Sequence, residues 1–154
     1  MWALGDLRGS DMFTHAARDD AEIAYRAVFK RQPATIADRV VPNAVFVDPE
    51  VASVGLTEQQ TRDAGHDVAI GTQQFEGVAK AKAIGETAGF VTFVTDTTTD
   101  RILGCHVVGP DAGNLIHEAV RAAPGAVPGS AVYLDAEAAR TCSTTARRRR
   151  STAS

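Results

Sequence analysis

The sequence predicts an α+β fold, an antiparallel sheet with helices packed against it. Three observations carry that expectation. Two apolar runs, Ala88 to Thr95 and Ile102 to Val108, flank the polar stretch Asp96-Thr97-Thr98-Thr99-Asp100-Arg101, which is the pattern of a hairpin. Leu115, Ile116, Ala119, Val120 and Ala123 then recur at helical spacing. The order of patterns from Val40 onward is strands, helix, strands, helix, which suits helices laid on an antiparallel sheet.

From the start of the chain, Trp2-Ala3-Leu4 reads as the end of a buried strand broken by Gly5-Asp6. Met12 to Lys30 is helical in pattern: Met12, Phe13, Ala16, Ile23, Ala24, Ala27 and Val28 can share a face, and Ser10 or Asp11 is placed to cap the start. Gln32 to Arg39, with Pro33, reads as a linker. Val40 to Val47 is β-rich, and Pro42 suits a strand start or an edge. Asp48-Pro49-Glu50 is a turn, because proline fixes its own φ and pushes its predecessor to extended geometry. Val51 to Leu56 resumes a strand. Thr57-Glu58-Gln59-Gln60 fits a capping box, opening a short helix to Ala64 with Gly65 beyond its end. Val68 to Phe75 reads as another strand. Gly109-Pro110-Asp111 precedes the last helix and Pro124-Gly125 terminates it. The predicted organisation is therefore 1–39, 40–123, and a tail over 124–154 rich in Arg, Ser, Thr and Ala that lacks the apolar periodicity needed to offset the entropy of ordering.

The bulk numbers set bounds. A chain of 154 residues with 44% hydrophobic and 23% charged residues suits one core, not a two-domain cofactor enzyme. No apolar run approaches the ~20 residues that span a bilayer, and Met1 to Ser10 has no secretory pattern, so a cytoplasmic location is expected. The net charge of −3 is uneven: five of the 16 basic residues are Arg140 and Arg147 to Arg150, and no acidic residue follows Glu137. Four clustered arginines suit an anionic partner, but without aromatics or a DNA-reading element nucleic acid is not expected. The two cysteines, Cys105 and Cys142, make neither a disulfide framework nor a CxxC metal site, and Cys105 sits in an apolar run as a buried structural thiol. Of the four histidines, His66 reads as surface and His106 as a packing or edge residue; His117 and Glu118 are adjacent and diverge around a helix. No pair has zinc spacing, and no metal is expected.

Two long segments carry a resemblance. Val41-Pro42-Asn43-Ala44-Val45-Phe46-Val47-Asp48-Pro49-Glu50-Val51-Ala52-Ser53-Val54-Gly55-Leu56-Thr57-Glu58 resembles the opening of the dimerisation domain of class I FAD-dependent pyridine nucleotide–disulfide oxidoreductases, the dihydrolipoamide dehydrogenases, glutathione reductases and mercuric reductases. Ile102-Leu103-Gly104-Cys105-His106-Val107-Val108-Gly109-Pro110-Asp111-Ala112 looks like the same domain's last strand and its turn into a helix. The match runs over Val40 to Ala123. Upstream, Trp2-Ala3-Leu4-Gly5-Asp6 and Met12-Phe13-Thr14-His15-Ala16 resemble that family's second FAD-binding motif and the helix after it.

The resemblance implies roles. Gly5 would let the backbone approach the cofactor, and Asp6 would accept a hydrogen bond from a ribityl hydroxyl. At Thr14 a backbone N–H would point to the flavin pyrimidine oxygen, where a helix start favours negative charge, with His15 beside it. It also implies a homodimer, FAD as the family's cofactor, which this chain is expected to bind weakly or not at all without a pyrophosphate cradle, and NAD(P)H as the electron donor of intact relatives. The family's GxGxxG segment, its close redox cysteine pair and its His-Pro-Thr catalytic segment are not matched; Asp135 to Thr141, where the last should fall, contains no histidine. No catalytic residue is assigned. The leading expectation is a C-terminal oxidoreductase fragment that pairs subunits and is inactive alone. Its alternatives are a subunit that completes a flavoenzyme with a separately encoded N-terminal part, and a self-associating module with a basic, anion-binding tail.

Overall fold

The computed structural model describes residues 3–32, 35–36, 39–99 and 101–122, in two compact units, Met1–Val41 and Pro42–Ser154. Expectations for Trp2, for linker residues 33, 34, 37 and 38, and for everything from Ala123 on, including Cys142 and Arg147 to Arg150, lie outside the described residues.

The first unit holds a short 3-10 turn, Gly5–Arg8, and helix α1, Thr14–Phe29. The expected strand end at Ala3-Leu4 is not a strand. Leu4 is extended, at φ −132° and ψ 149°, but it is exposed and no described strand of this unit pairs with it. Extended backbone becomes sheet only where a neighbour supplies the ladder. The start of α1 also differs from expectation. Phe13 is the N-cap, and no side chain caps it, neither Ser10 nor Asp11. Asp11 instead takes a left-handed φ of 38° in the turn leading in. The buried stripe of α1 is Ala16, Asp20 and Ala24, at the i, i+4, i+8 spacing of one helix face, whereas Met12 and Val28 are exposed.

The second unit is the predicted α+β domain. Its strands are β1 (Asn43–Val45), β2 (Val51–Gly55), β3 (Val68–Gln74), β4 (Phe90–Asp96) and β5 (Arg101–Val108). They form one antiparallel sheet in the order β1-β2-β5-β4-β3. Helices α2 (Glu58–Asp63), α3 (Ala79–Ile84) and α4 (Ala112–Ala122) complete it. The capping box is present at both ends of its exchange. Thr57 Oγ1 accepts from the Gln60 amide, and Gln60 Oε1 accepts from the Thr57 amide at 2.9 Å. Helix α3 had no counterpart in the sequence reading: six residues with two lysines and no side-chain cap leave little pattern to find.

The sheet has two unlike faces, because side chains alternate along each strand. Helix α4 packs across β1, β2 and β5 on the face carrying Ala44, Ala52, Val54, Cys105 and Val107. The last four of these are at most 2% exposed, as are Ala112, Ile116 and Ala119 of α4. Leu115, expected on that helix's buried face, is exposed instead: the stripe that meets the sheet runs through small residues and Ile116. Glu50 fixes the start of α4 from across the fold, its carboxylate accepting the Gly113 amide at 3.1 Å and its backbone carbonyl accepting the Gly109 amide at 2.9 Å.

The opposite face is half open. One cross-strand row there is Asn43, Ser53, His106, Thr92 and Thr72; the next is Val45, Val51, Val108, Phe90 and Gln74. None of these ten is Asp, Glu, Lys or Arg, and Val45 and Val51 are exposed; the Phe46 ring lies on the other face, near Gly113 of α4. Within the polar row Ser53 Oγ lies 2.9 Å from Asn43 Oδ1, and the Thr72 and Thr92 hydroxyls are 2.9 Å apart.

Candidate functional site

The four residues assigned to cofactor contact, Gly5, Asp6, Thr14 and His15, all fall in the first unit. Gly5 has a left-handed φ of +59°, and a Cβ added to it would lie 3.1 Å from the Ala17 side chain. Glycine thus serves both the backbone angle and the close approach to α1. Asp6 and Thr14 are exposed and line one open depression with Met12, Ala17, Arg18 and Ala21. His15 is not among its lining residues; its ring stacks on Phe13 with centroids 5.6 Å apart. The depression therefore brings together an exposed carboxylate, an acceptor for sugar hydroxyls, and the first turn of a 16-residue helix without a side-chain cap. Those groups fit in kind the ribityl and pyrimidine contacts of a flavin nucleotide.

Beneath this corner lies a cluster that sequence reasoning missed. Asp20, whose side chain is 2% exposed, accepts the Gly5 amide at 2.8 Å and Arg8 at 3.0 Å, and pairs with Arg39. Arg39 also reaches Asp11 and Asp19, each at 3.3 Å, and the Ala16 carbonyl. Burial opposes ionisation of Asp20, but the Gly5 amide and the two guanidiniums outweigh it and bring its pKa to about 2. A carboxyl depressed on folding contributes stability that is present above its ordinary value near 3.8 and lost as pH falls through about 2. The expected result is that α1, followed by its own amide resonances, loosens between those two pH values. In Asp20→Asn that acid dependence should flatten, and an unchanged profile would show the cluster irrelevant to folding.

Among the described residues, the remaining candidates give no second site. Burial pushes the Cys105 thiol up to about 12, so it stays protonated and inert at neutral pH. His66 is on the surface as expected, and it is also paired: its Nδ1 lies 3.1 Å from buried Asp96. The Thr98 amide, with His66 and Thr99, holds the Asp96 carboxyl below the usual range against the effect of burial. His106 sets Nε2 at 3.3 Å from the Leu56 carbonyl; of the two expected roles, packing and edge, the edge one does not hold, because β5 is the central strand and His106 pairs with Ser53 and Thr92 on either side. His117 and Glu118 are both exposed on α4. Among the described residues no group of three or more His, Cys, Asp or Glu could hold a metal ion, and no helix is long and apolar enough to cross a membrane.

The chain is 42% identical over 118 residues to a dihydrolipoyl dehydrogenase of Chlorobaculum tepidum and 39% identical over 119 residues to one of Bacillus subtilis. Each alignment covers 77% of this chain and 25% of the relative, so the chain spans about a quarter of the length of the curated relatives it matches. Among solved structures, the HOCl-induced flavoprotein disulfide reductase RclA of Escherichia coli superposes with a TM-score of 0.71 at 30% identity, over 77% of this chain and 28% of that one. LpdA of Mycobacterium tuberculosis gives 0.72 at 25% identity, over 95% of this chain and 33% of that one. The family described as pyridine nucleotide-disulphide oxidoreductase, dimerisation domain, matches residues 41–146, running on past Ala123, where the resemblance was expected to end. On the match to most of the second unit, and on the fold that unit adopts, the chain belongs to the pyridine nucleotide-disulphide oxidoreductases and carries their dimerisation domain.

Proposed function

We propose that this chain supplies the subunit-pairing part of a FAD-dependent oxidoreductase that takes electrons from NAD(P)H to a disulfide or related acceptor, and that these 154 residues do not complete the reaction alone. The observation that carries the pairing is the uncharged, half-open sheet face: its apolar row, Val45, Val51, Val108 and Phe90, is contiguous across four strands. Contiguous apolar surface favours association, and a face repeated on an identical chain can pair about a two-fold axis. The partner is a second copy of the chain.

At the first unit, Asp6 would hold a ribityl hydroxyl and the Thr14 amide a flavin carbonyl, with Gly5 admitting the backbone and His15 flanking the helix start. Bound FAD supplies the two-electron relay between nicotinamide and acceptor. This chain's own residues orient the cofactor and offer a helix dipole to its pyrimidine edge. They offer no redox cysteine pair: Cys105 is buried and Cys142 is distant in sequence. The purified chain with added FAD and NAD(P)H is therefore expected to reduce neither a disulfide nor mercuric ion above a heat-treated control. Steady-state turnover above that control would overturn the reading.

A further inference from the structure

Asp20 occupies a position where an apolar side chain would serve packing better. It lies between Ala16 and Ala24 on the buried stripe of α1, and burying a carboxylate is costly unless each of its oxygens is satisfied. Here they are: Arg8 and Arg39 bracket it, and Arg39 is held in turn by Asp11, Asp19 and the Ala16 carbonyl. What a carboxylate does there that an alkyl group cannot is accept the Gly5 amide at 2.8 Å. Gly5 is the residue directly before Asp6, and glycine is the residue type with the most backbone freedom to lose. Rotation about the Gly5 backbone would swing the Asp6 carboxylate away from the depression it shares with Thr14. Two constraints oppose that rotation: the close approach to Ala17, and the bond to Asp20.

We infer that Asp20 is a positioning residue for the flavin corner: it fixes the Gly5 amide, and through it the direction of the Asp6 carboxylate, while touching no ligand itself. This rests on the proposed role of Asp6 and Thr14 in FAD contact. It assigns to a buried ion cluster a function beyond stabilising α1, and it makes Arg8 and Arg39 supports of that function.

Isotope-labelled full chain and nuclear magnetic resonance test it. In the unaltered chain the Gly5 amide exchanges with solvent at least about tenfold more slowly than an unstructured glycine amide. In Asp20→Ala that protection is lost and the Asp6 and Thr14 amide resonances move, while the α1 amides around Ala24 stay helical. Asp20→Asn, which keeps the shape and one acceptor oxygen, retains part of the protection and serves if the alanine variant fails to fold. Asp19→Asn removes an exposed partner of the same Arg39 and leaves Gly5 unchanged. Titrated with FAD and followed at Asp6 and Thr14, Asp20→Asn binds about tenfold more weakly than the unaltered chain. Unstructured exchange at Gly5 in the unaltered chain, or unchanged exchange in Asp20→Ala with α1 intact, overturns the positioning role. Protected Gly5 with no FAD-induced shift at Asp6 or Thr14 overturns the flavin reading instead.

Discussion

Gly104→Val is expected to destabilise the sheet-and-helix unit strongly. Gly55 and Gly104 face each other across β2 and β5, and Leu56, just past β2, crosses close to Gly104. A Cβ at Gly104 would fall well inside van der Waals contact of the Leu56 carbonyl oxygen, and one at Gly55 would do the same to that of Leu103. Both atoms are backbone, and the Leu56 amide donates to the Leu103 carbonyl at 2.9 Å, so neither can move without breaking the crossing. Gly55 carries the further requirement of a φ of +76°. Overpacking against relaxed side chains costs roughly 1–3 kcal/mol, and immovable backbone places this case at or above the top of that range. A domain is stable by only about 5–15 kcal/mol in all. Urea denaturation followed by circular dichroism checks it: a midpoint within experimental error of the unaltered chain would refute the close crossing.

Ile116→Ala is expected to cost about 2–5 kcal/mol, the range for removing a fully buried branched side chain and leaving a cavity. Ile116 is 1% exposed on the face of α4 that meets the sheet, whereas its neighbour Leu115 is 40% exposed. Leu115→Ala should therefore stay within about 0.5 kcal/mol, as surface changes usually do. The contrast between adjacent residues tests the placement of α4 itself, since equal losses at the two positions would mean that the helix presents a different face.

The same pair shows what a sequence does and does not disclose. Leu115 and Ile116 are equally apolar, and periodicity alone placed both inside. The sheet selects Ala112, Ile116 and Ala119 because small residues let the helix approach closely. Local chemistry was legible: the Thr57–Gln60 capping box, the β4–β5 hairpin and the burial of Cys105 each follow from neighbouring residues. Long-range pairing was not. Asp20 joins Gly5, Arg8 and Arg39 across 15, 12 and 19 positions, and in sequence it is one of two adjacent aspartates on a charged helix. His66 and Asp96 meet across 30 positions for the same reason. Ala3-Leu4 carries strand-like residues, but strand formation depends on a partner that no local pattern reveals. The candidate flavin contacts were found by motif resemblance; the Asp20 cluster beside them became visible only in three dimensions.

Sedimentation of the purified chain across micromolar concentrations bears most directly on the claim that this is a subunit-pairing module. The open sheet face predicts a species of twice the chain mass, in equilibrium with monomer on dilution, and weakened by Val45→Asp at the exposed end of its apolar row. A monomer at every concentration would contradict it.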